Sequence, residues 1–201
     1  MIRVVIAEAQ QMISGAFTSL LQIEDDMEVV TQASNGKDAL DAIITHKPDL
    51  AILDIEIPEM TGLEVAEQIR EQNLPGKIMI VTTFAKPGYL QKAMELKVDG
   101  YLLKEEPIDF LIDSIRNVVN GQQVISADLA PTLFMIKENP LTEREQEVLR
   151  LVAEDKTTSQ IAKTLFLTTG TVRNYLSTAI QKLEVESRHH AIKEAQEKGW
   201  I

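Results

Sequence analysis

The sequence predicts an α/β domain built on a parallel sheet, followed by a smaller all-α domain. Three observations predict it. Five short apolar runs alternate with amphipathic stretches up to residue 121. Residues 122–139 break that alternation and bring Pro131, with Pro140 directly after them. From there on only helical periodicity is left. Repeated βα units imply parallel strands covered on both faces.

The elements follow in order. Residues 3–7, 27–33, 50–54, 77–82 and 100–103 read as strands, because each is an apolar run of strand length bounded by turn residues. Residues 11–21, 36–45, 61–72, 87–96 and 108–120 read as helices, because their apolar positions recur at helical spacing. Gly121 stops the last of these. Residues 122–139 read as an irregular linker with one short helix around 127–136. The predicted domains are therefore 1–121, a linker 122–139, and 140–201. In the second domain Thr142 and Glu145 stand three apart, as in a capping box, and open a helix to about residue 154. Further helices are expected at about 158–166, 170–183 and 187–198. The short joint at 167–170 has helix-turn-helix spacing. Neither an internal repeat nor a low-complexity segment is visible.

Bulk composition narrows the classes. A hydrophobic content of 44% is ordinary for a globular protein. With no cysteine, disulfides and thiolate metal sites are excluded. No apolar run is long enough to span a bilayer, so membrane insertion is not expected. The opening residues run directly into a strand pattern, which predicts no signal peptide and a cytoplasmic protein. The net charge of -11 argues against nucleic acid only until its distribution is examined. Residues 1–138 hold 11 Lys and Arg against 22 Asp and Glu, whereas residues 139–201 hold nine of each. A neutral segment can present a basic face to phosphates.

Chemistry in an open α/β sheet gathers at the carboxyl ends of the strands. Asp54 ends the third predicted strand, Thr82 and Thr83 end the fourth, and Lys104 follows the fifth. Glu8 follows the first. A carboxylate, a hydroxyl and an ammonium at one rim suit the making and holding of an acyl phosphate. Any one of these residues alone reads as an ordinary strand-end residue; their convergence makes the site.

Residues 1–120 resemble the receiver domain of two-component response regulators. The resemblance is carried by Ile6-Ala7-Glu8, Leu53-Asp54, Pro58 with Thr61-Gly62, Thr82, and Tyr101-Leu102-Leu103-Lys104. The second part resembles the LuxR-type DNA-binding domain through Leu141-Thr142-Glu143-Arg144-Glu145, Val148-Leu149, Gln160-Ile161-Ala162, Thr171-Val172-Arg173-Asn174, Lys182-Leu183 and Val185. Together they imply the NarL/FixJ class, with a flavodoxin-like (βα)5 receiver and a four-helix LuxR-type helix-turn-helix domain. Within that class, the opening residues and the segment 82–89 are similar to a regulator of membrane-lipid desaturation, so lipid or cell-envelope genes are the implied targets.

The resemblance also implies roles. Asp54 is the implied phosphoacceptor, with a phosphohistidine on a sensor histidine kinase as donor. Thr82, Thr83, Tyr101 and Lys104 form the implied phosphoryl-binding and switch set, with Tyr101 changing rotamer on activation. Glu8, Asp54 and the backbone carbonyl of Glu56 are the implied ligands of Mg2+. One position departs from the pattern. The class carries an acidic pair after the first strand, and here Glu8 is followed by Ala9. A lost carboxylate weakens a site that has few protein ligands.

In the second domain, Thr169, Thr171, Arg173, Asn174 and Ser177 are the polar positions near the start of the recognition helix. Val172, Leu176, Ile180 and Leu183 recur at near-helical spacing and are expected in the core. Arg suits guanine and Asn suits adenine in the major groove. Thr157, Thr158, Lys163, Thr171, Tyr175 and Lys182 are candidates for phosphate contacts. On the receiver, apolar residues of the first helix (Met12, Ile13, Ala16, Phe17, Leu20, Leu21) and of the fifth (Leu111, Ile112, Ile115, Val118, Val119) exceed what one core face needs. They suggest a dimer face. The resulting expectation is a regulator that forms a homodimer on promoter DNA once Asp54 is phosphorylated. One alternative is DNA binding without phosphorylation, supported by Ala9. The other is an Asp-nucleophile phosphatase, disfavoured because Glu56 stands where that chemistry wants a second aspartate.

Overall fold

The computed structural model describes residues 1–84, 86–134 and 139–201. They form two compact units, one of residues 1–84 and 90–134, the other of 139–201 with the four residues 86–89.

Strands and helices alternate in the expected order: β1 (Ile2–Ala7), α1 (Gln11–Leu21), β2 (Met27–Ala33), α2 (Gly36–His46), β3 (Leu50–Leu53), α3 (Gly62–Glu71), β4 (Lys77–Thr82), α4 (Pro87–Glu95), β5 (Gly100–Leu103) and α5 (Ile108–Val119). The expected irregular segment adds structure of its own. β6 (Val124–Ile125) pairs in parallel with β5, and a short 3-10 turn leads into α6 (Ala130–Phe134). Residues 122–134 are therefore packed with the first unit. Two residues are too few to show a periodicity, which is why the sixth strand was invisible in the sequence. The part of the expected short helix at 135–136 lies outside the described residues.

The sheet is parallel throughout, in the order β2-β1-β3-β4-β5-β6. β3 is buried at all four positions, as expected of a strand covered on both faces. The chain leaves β1 for β2 on one side and enters β3 on the other. That reversal opens a crevice beyond the carboxyl ends of β1 and β3, where open α/β sheets take ligands. One face is filled by Val4, Ile6, Leu50, Ile52, Met79 and Val81 with Leu111, Ile115 and Val118 of α5. α3 starts on a capping box between Thr61 and Glu64. Its first residue must be Gly62, because a Cβ there would collide with the Asp54 carbonyl oxygen. The helix start is thereby pressed against the crevice.

The second unit is helical: α7 (Glu143–Ala153), α8 (Thr158–Thr164), α9 (Thr169–Lys182) and α10 (Arg188–Lys198). Each is capped by a side chain at its start. Thr142 and Thr157 form capping boxes with Glu145 and Gln160, while Thr168 and Ser187 accept from the backbone N–H three residues on. Val148, Val152, Ile161, Ala162 and Val172 close one apolar cluster. Leu141, Leu149, Ala179, Ala191, Ala195 and Trp200 close another. Val172 is fully buried, and Leu176, Ile180 and Leu183 pack against these clusters.

Asp99, just before β5, ties the sheet edge. It accepts from Lys77 Nζ at 2.9 Å, Arg70 Nη2 at 3.0 Å and the Ile78 N–H at 3.0 Å. Burial pushes its carboxyl up, but these donors outweigh burial and leave it below its ordinary 3.8. A depressed carboxylate stabilises the fold above pH 3.8 and loses that effect as pH falls through its lowered value. Asp99→Asn should therefore lower unfolding free energy at neutral pH by about 1–3 kcal/mol. The gap between the urea midpoints of the two proteins should narrow as the titration is moved down towards about pH 3.

Candidate functional site

Glu8, Asp54, Thr82 and Lys104 meet at the carboxyl rim of the sheet. Asp54 extends β3 by one residue, its N–H bonded to the Ala7 carbonyl at 2.9 Å. The Lys104 N–H is bonded to the Thr82 carbonyl at 2.9 Å, so β4 fixes where the lysine leaves the sheet. The Lys104 ammonium bridges two carboxylates, Glu8 at Oε2 and Asp54 at Oδ2 (2.9 Å). All three side chains are nearly enclosed. Glu8 Oε1 accepts from the Gln10 N–H at 2.8 Å. Asp54 Oδ1 is buried and has no hydrogen-bond partner among the described residues.

Burial pushes the Lys104 ammonium down, but the hydrogen bonds to Asp54 and Glu8 outweigh it and hold the group above 10.5. The lysine thus stays charged, and its contribution is lost only as pH rises past the raised value.

Thr82 is fully buried, and its Oγ1 accepts from the Phe84 N–H at 3.3 Å. Tyr101 is turned inward, 1% exposed, and its hydroxyl donates to the Phe84 carbonyl at 2.9 Å. One backbone residue thus joins Thr82 to Tyr101. Phe84 was not singled out from the sequence and carried no signal for it, because it acts through its peptide groups. Ser126 was missed for another reason: its hydroxyl accepts from the Leu103 N–H at 3.1 Å, from a segment expected to be irregular. Thr83 and Glu56 are exposed and stand outside the buried cluster.

The donor set bears on the expected metal. Glu8 and Asp54 offer carboxylate oxygens, one of them the unpartnered Asp54 Oδ1. Mg2+ takes one or two carboxylates and fills its remaining positions with water and phosphate oxygens, so the residues fit it. They do so sparingly. Ala9 contributes none, and no group of three His, Cys, Asp or Glu side chains is gathered among the described residues.

In the second unit, Thr169, Arg173 and Ser177 lie four residues apart on one exposed face of α9, with Asn174 beside them. Lys163 of α8 is exposed as well. Thr171 is half-buried and shares a hydroxyl hydrogen bond of 2.9 Å with the capping Thr168. Lys182 reaches back to α7 and pairs with Glu145 Oε2 at 2.8 Å. Burial pushes the Glu145 carboxyl up, but the bonds from Lys182 and the Thr142 N–H outweigh it and leave it below its ordinary value.

Comparison with known proteins agrees with both halves. Residues 4–116 match the response regulator receiver domain, and residues 139–195 match the bacterial regulatory proteins of the luxR family. The transcriptional regulatory protein DesR of Bacillus subtilis is 50% identical over all 201 residues of both chains. The uncharacterized transcriptional regulatory protein YvfU of the same organism is 51% identical, again over the whole of both chains. Among solved structures, a LuxR-family DNA-binding response regulator from Staphylococcus aureus is 43% identical with a TM-score of 0.58, covering 60% of this chain and 100% of its own. The chain belongs to the two-component response regulators that join a receiver domain to a LuxR-type DNA-binding domain, and it is a transcriptional regulator rather than an enzyme.

Proposed function

We propose that a sensor histidine kinase phosphorylates Asp54 and that the modified protein binds promoter DNA as a homodimer in the cytoplasm. Asp54 itself carries this reading. Lys104 holds Oδ2 and leaves Oδ1, which has no partner among the described residues, as the oxygen available to attack phosphorus. The new P–O bond forms as the P–N bond of the phosphohistidine breaks, and imidazole leaves with its electron pair. Lys104, kept charged by its surroundings, neutralises the phosphoryl oxygens. Mg2+ would be held by Glu8, Asp54 and the Glu56 carbonyl, and when bound it supplies further charge neutralisation. The Thr82 hydroxyl can turn from the Phe84 N–H to a phosphoryl oxygen. Phe84 also holds Tyr101, so that turn alters the tyrosine's anchor.

Two surfaces complete the reading. Met12 and Leu20 of α1 are exposed, and a groove of about 140 Å3 lies between α1 and α5, lined by Phe17, Leu20, Leu103 and Ile108 among others. This supports a receiver dimer face there. Arg173 and Asn174 on α9 suit base reading in the major groove, with Lys163, Thr169, Thr171, Ser177 and Lys182 around them. The implied targets are membrane-lipid or cell-envelope genes. Ala9 favours a second reading, in which phosphorylation is weak and protein concentration governs DNA binding.

Incubation with acetyl phosphate and Mg2+, followed by a phosphate-retarding gel, tests the acceptor. Asp54→Ala should abolish the retarded band. Ala9→Asp should raise the labelling rate at low Mg2+ by adding an oxygen ligand. A wild type that stays unlabelled while Ala9→Asp labels would decide for the second reading.

For DNA, binding to a set of operator variants at two salt concentrations separates the residues. Arg173→Ala and Asn174→Ala should reorder the operators, each losing about 1–3 kcal/mol at one base position. Lys182→Ala should weaken all operators alike. It should also lower unfolding free energy by about 1–2 kcal/mol, because it leaves the Glu145 carboxylate buried without its cation. Unchanged operator ranking in the first two variants would move base reading to Thr171 and Ser177.

A further inference from the structure

We propose that Phe166 is a further DNA-contacting residue, its ring packing on the apolar face of a backbone deoxyribose beside the groove that α9 enters. The proposal rests on the reading of α9 as the recognition helix. Phe166 is 96% exposed, the most exposed large apolar side chain among the described residues. Its φ is +55°, in the left-handed region that an L-aromatic residue rarely adopts. The other non-glycine residues there are Lys47, Glu59, Asn73, Lys97, Asp155 and Glu184, all polar.

The turn does not set the ring outward through looseness. Leu165 and Leu167 on either side pack into the cluster around Ile161 and Val172. The Leu167 N–H is bonded to the Ala162 carbonyl at 2.8 Å. Both neighbours are anchored inward, so the turn presents the ring to solvent at a fixed place. That place lies two residues before Thr168, which caps α9, and three after Lys163 on α8. Lys163, Thr164, Thr168 and Thr169 are all exposed around it. A helix that enters the groove by its N-terminal half brings the preceding turn to the groove wall. That wall offers phosphates to the cation and hydroxyls, and sugar C–H surface to a ring. An aromatic side chain left in water at a strained φ gains nothing inside its own unit. Packed on DNA, it removes apolar surface from water without neutralising a phosphate.

The test uses full-length protein and duplexes enriched by the wild type from a randomised pool. Phe166→Gly and Phe166→Asn both accept the left-handed backbone. Each should bind roughly fivefold to tenfold more weakly. Their salt slopes should equal the wild type's, because no phosphate contact is lost. Their thermal midpoints should be unchanged or raised. Phe166→Tyr should keep wild-type affinity. Wild-type binding by the Gly and Asn variants, alongside weakened Arg173→Ala, would overturn the contact and leave the recognition helix standing. If Arg173→Ala also binds normally, the reading of α9 fails and the proposal falls with it. A lowered midpoint in both variants would make the ring structural, and a slope lowered by about one would make it a phosphate contact; either result overturns the proposal.

Discussion

Glu8 and Asp54 sit side by side at the rim of the sheet because one ammonium stands between them. Two carboxylates this enclosed, without a cation, would face a desolvation penalty of several kcal/mol per ion after relaxation. Lys104 answers both, with each acid within hydrogen-bond reach. The three residues come from the ends of β1, β3 and β5, strands that do not all touch one another. The pairing therefore fixes the carboxyl rim across the width of the sheet. Its strength also limits it: the cation that stabilises the resting acids is the one an incoming phosphoryl group would use.

How much of this was legible in the sequence depended on the kind of signal. The five principal strands were visible as apolar runs of strand length bounded by turn residues, and the long helices because each repeats its period several times. Their ends differed from expectation by a residue or two, as at β3, where Asp54 joins the ladder only through its N–H. Polar strand ends were legible because a parallel sheet gathers them at one rim. The sixth strand was not, being two residues long. The link through Phe84 was not either, because peptide groups are the same in every residue. Lys182 shows a subtler limit. Its place near the end of α9 suggested a phosphate contact, and only packing reveals Glu145 opposite it.

Glu145 has two roles at once. Its carboxylate accepts from the Thr142 N–H to close the cap of α7 and from Lys182 to hold α9. The helix start and the helix–helix contact are thus joined at one side chain, itself 4% exposed. Replacing it with alanine would open the cap and leave Lys182 unpaired together, whereas glutamine could keep the cap, as Gln160 does at Thr157. This coupling holds α9 from its inner side while Arg173 and Asn174 stay exposed on the other.

Phe84 plays the matching part in the receiver. Its N–H is taken by Thr82 and its carbonyl by Tyr101, so both side chains answer to one peptide segment. Thr82 is fully buried and Tyr101 nearly so, so a change of partner at either takes place out of reach of water. A buried hydroxyl left unpaired costs on the order of 1–3 kcal/mol, so the intermediate arrangements are disfavoured relative to the two ends. That penalty, rather than any strain in the sheet, is what would make the response to a phosphoryl group at Asp54 a switch between two arrangements instead of a graded shift.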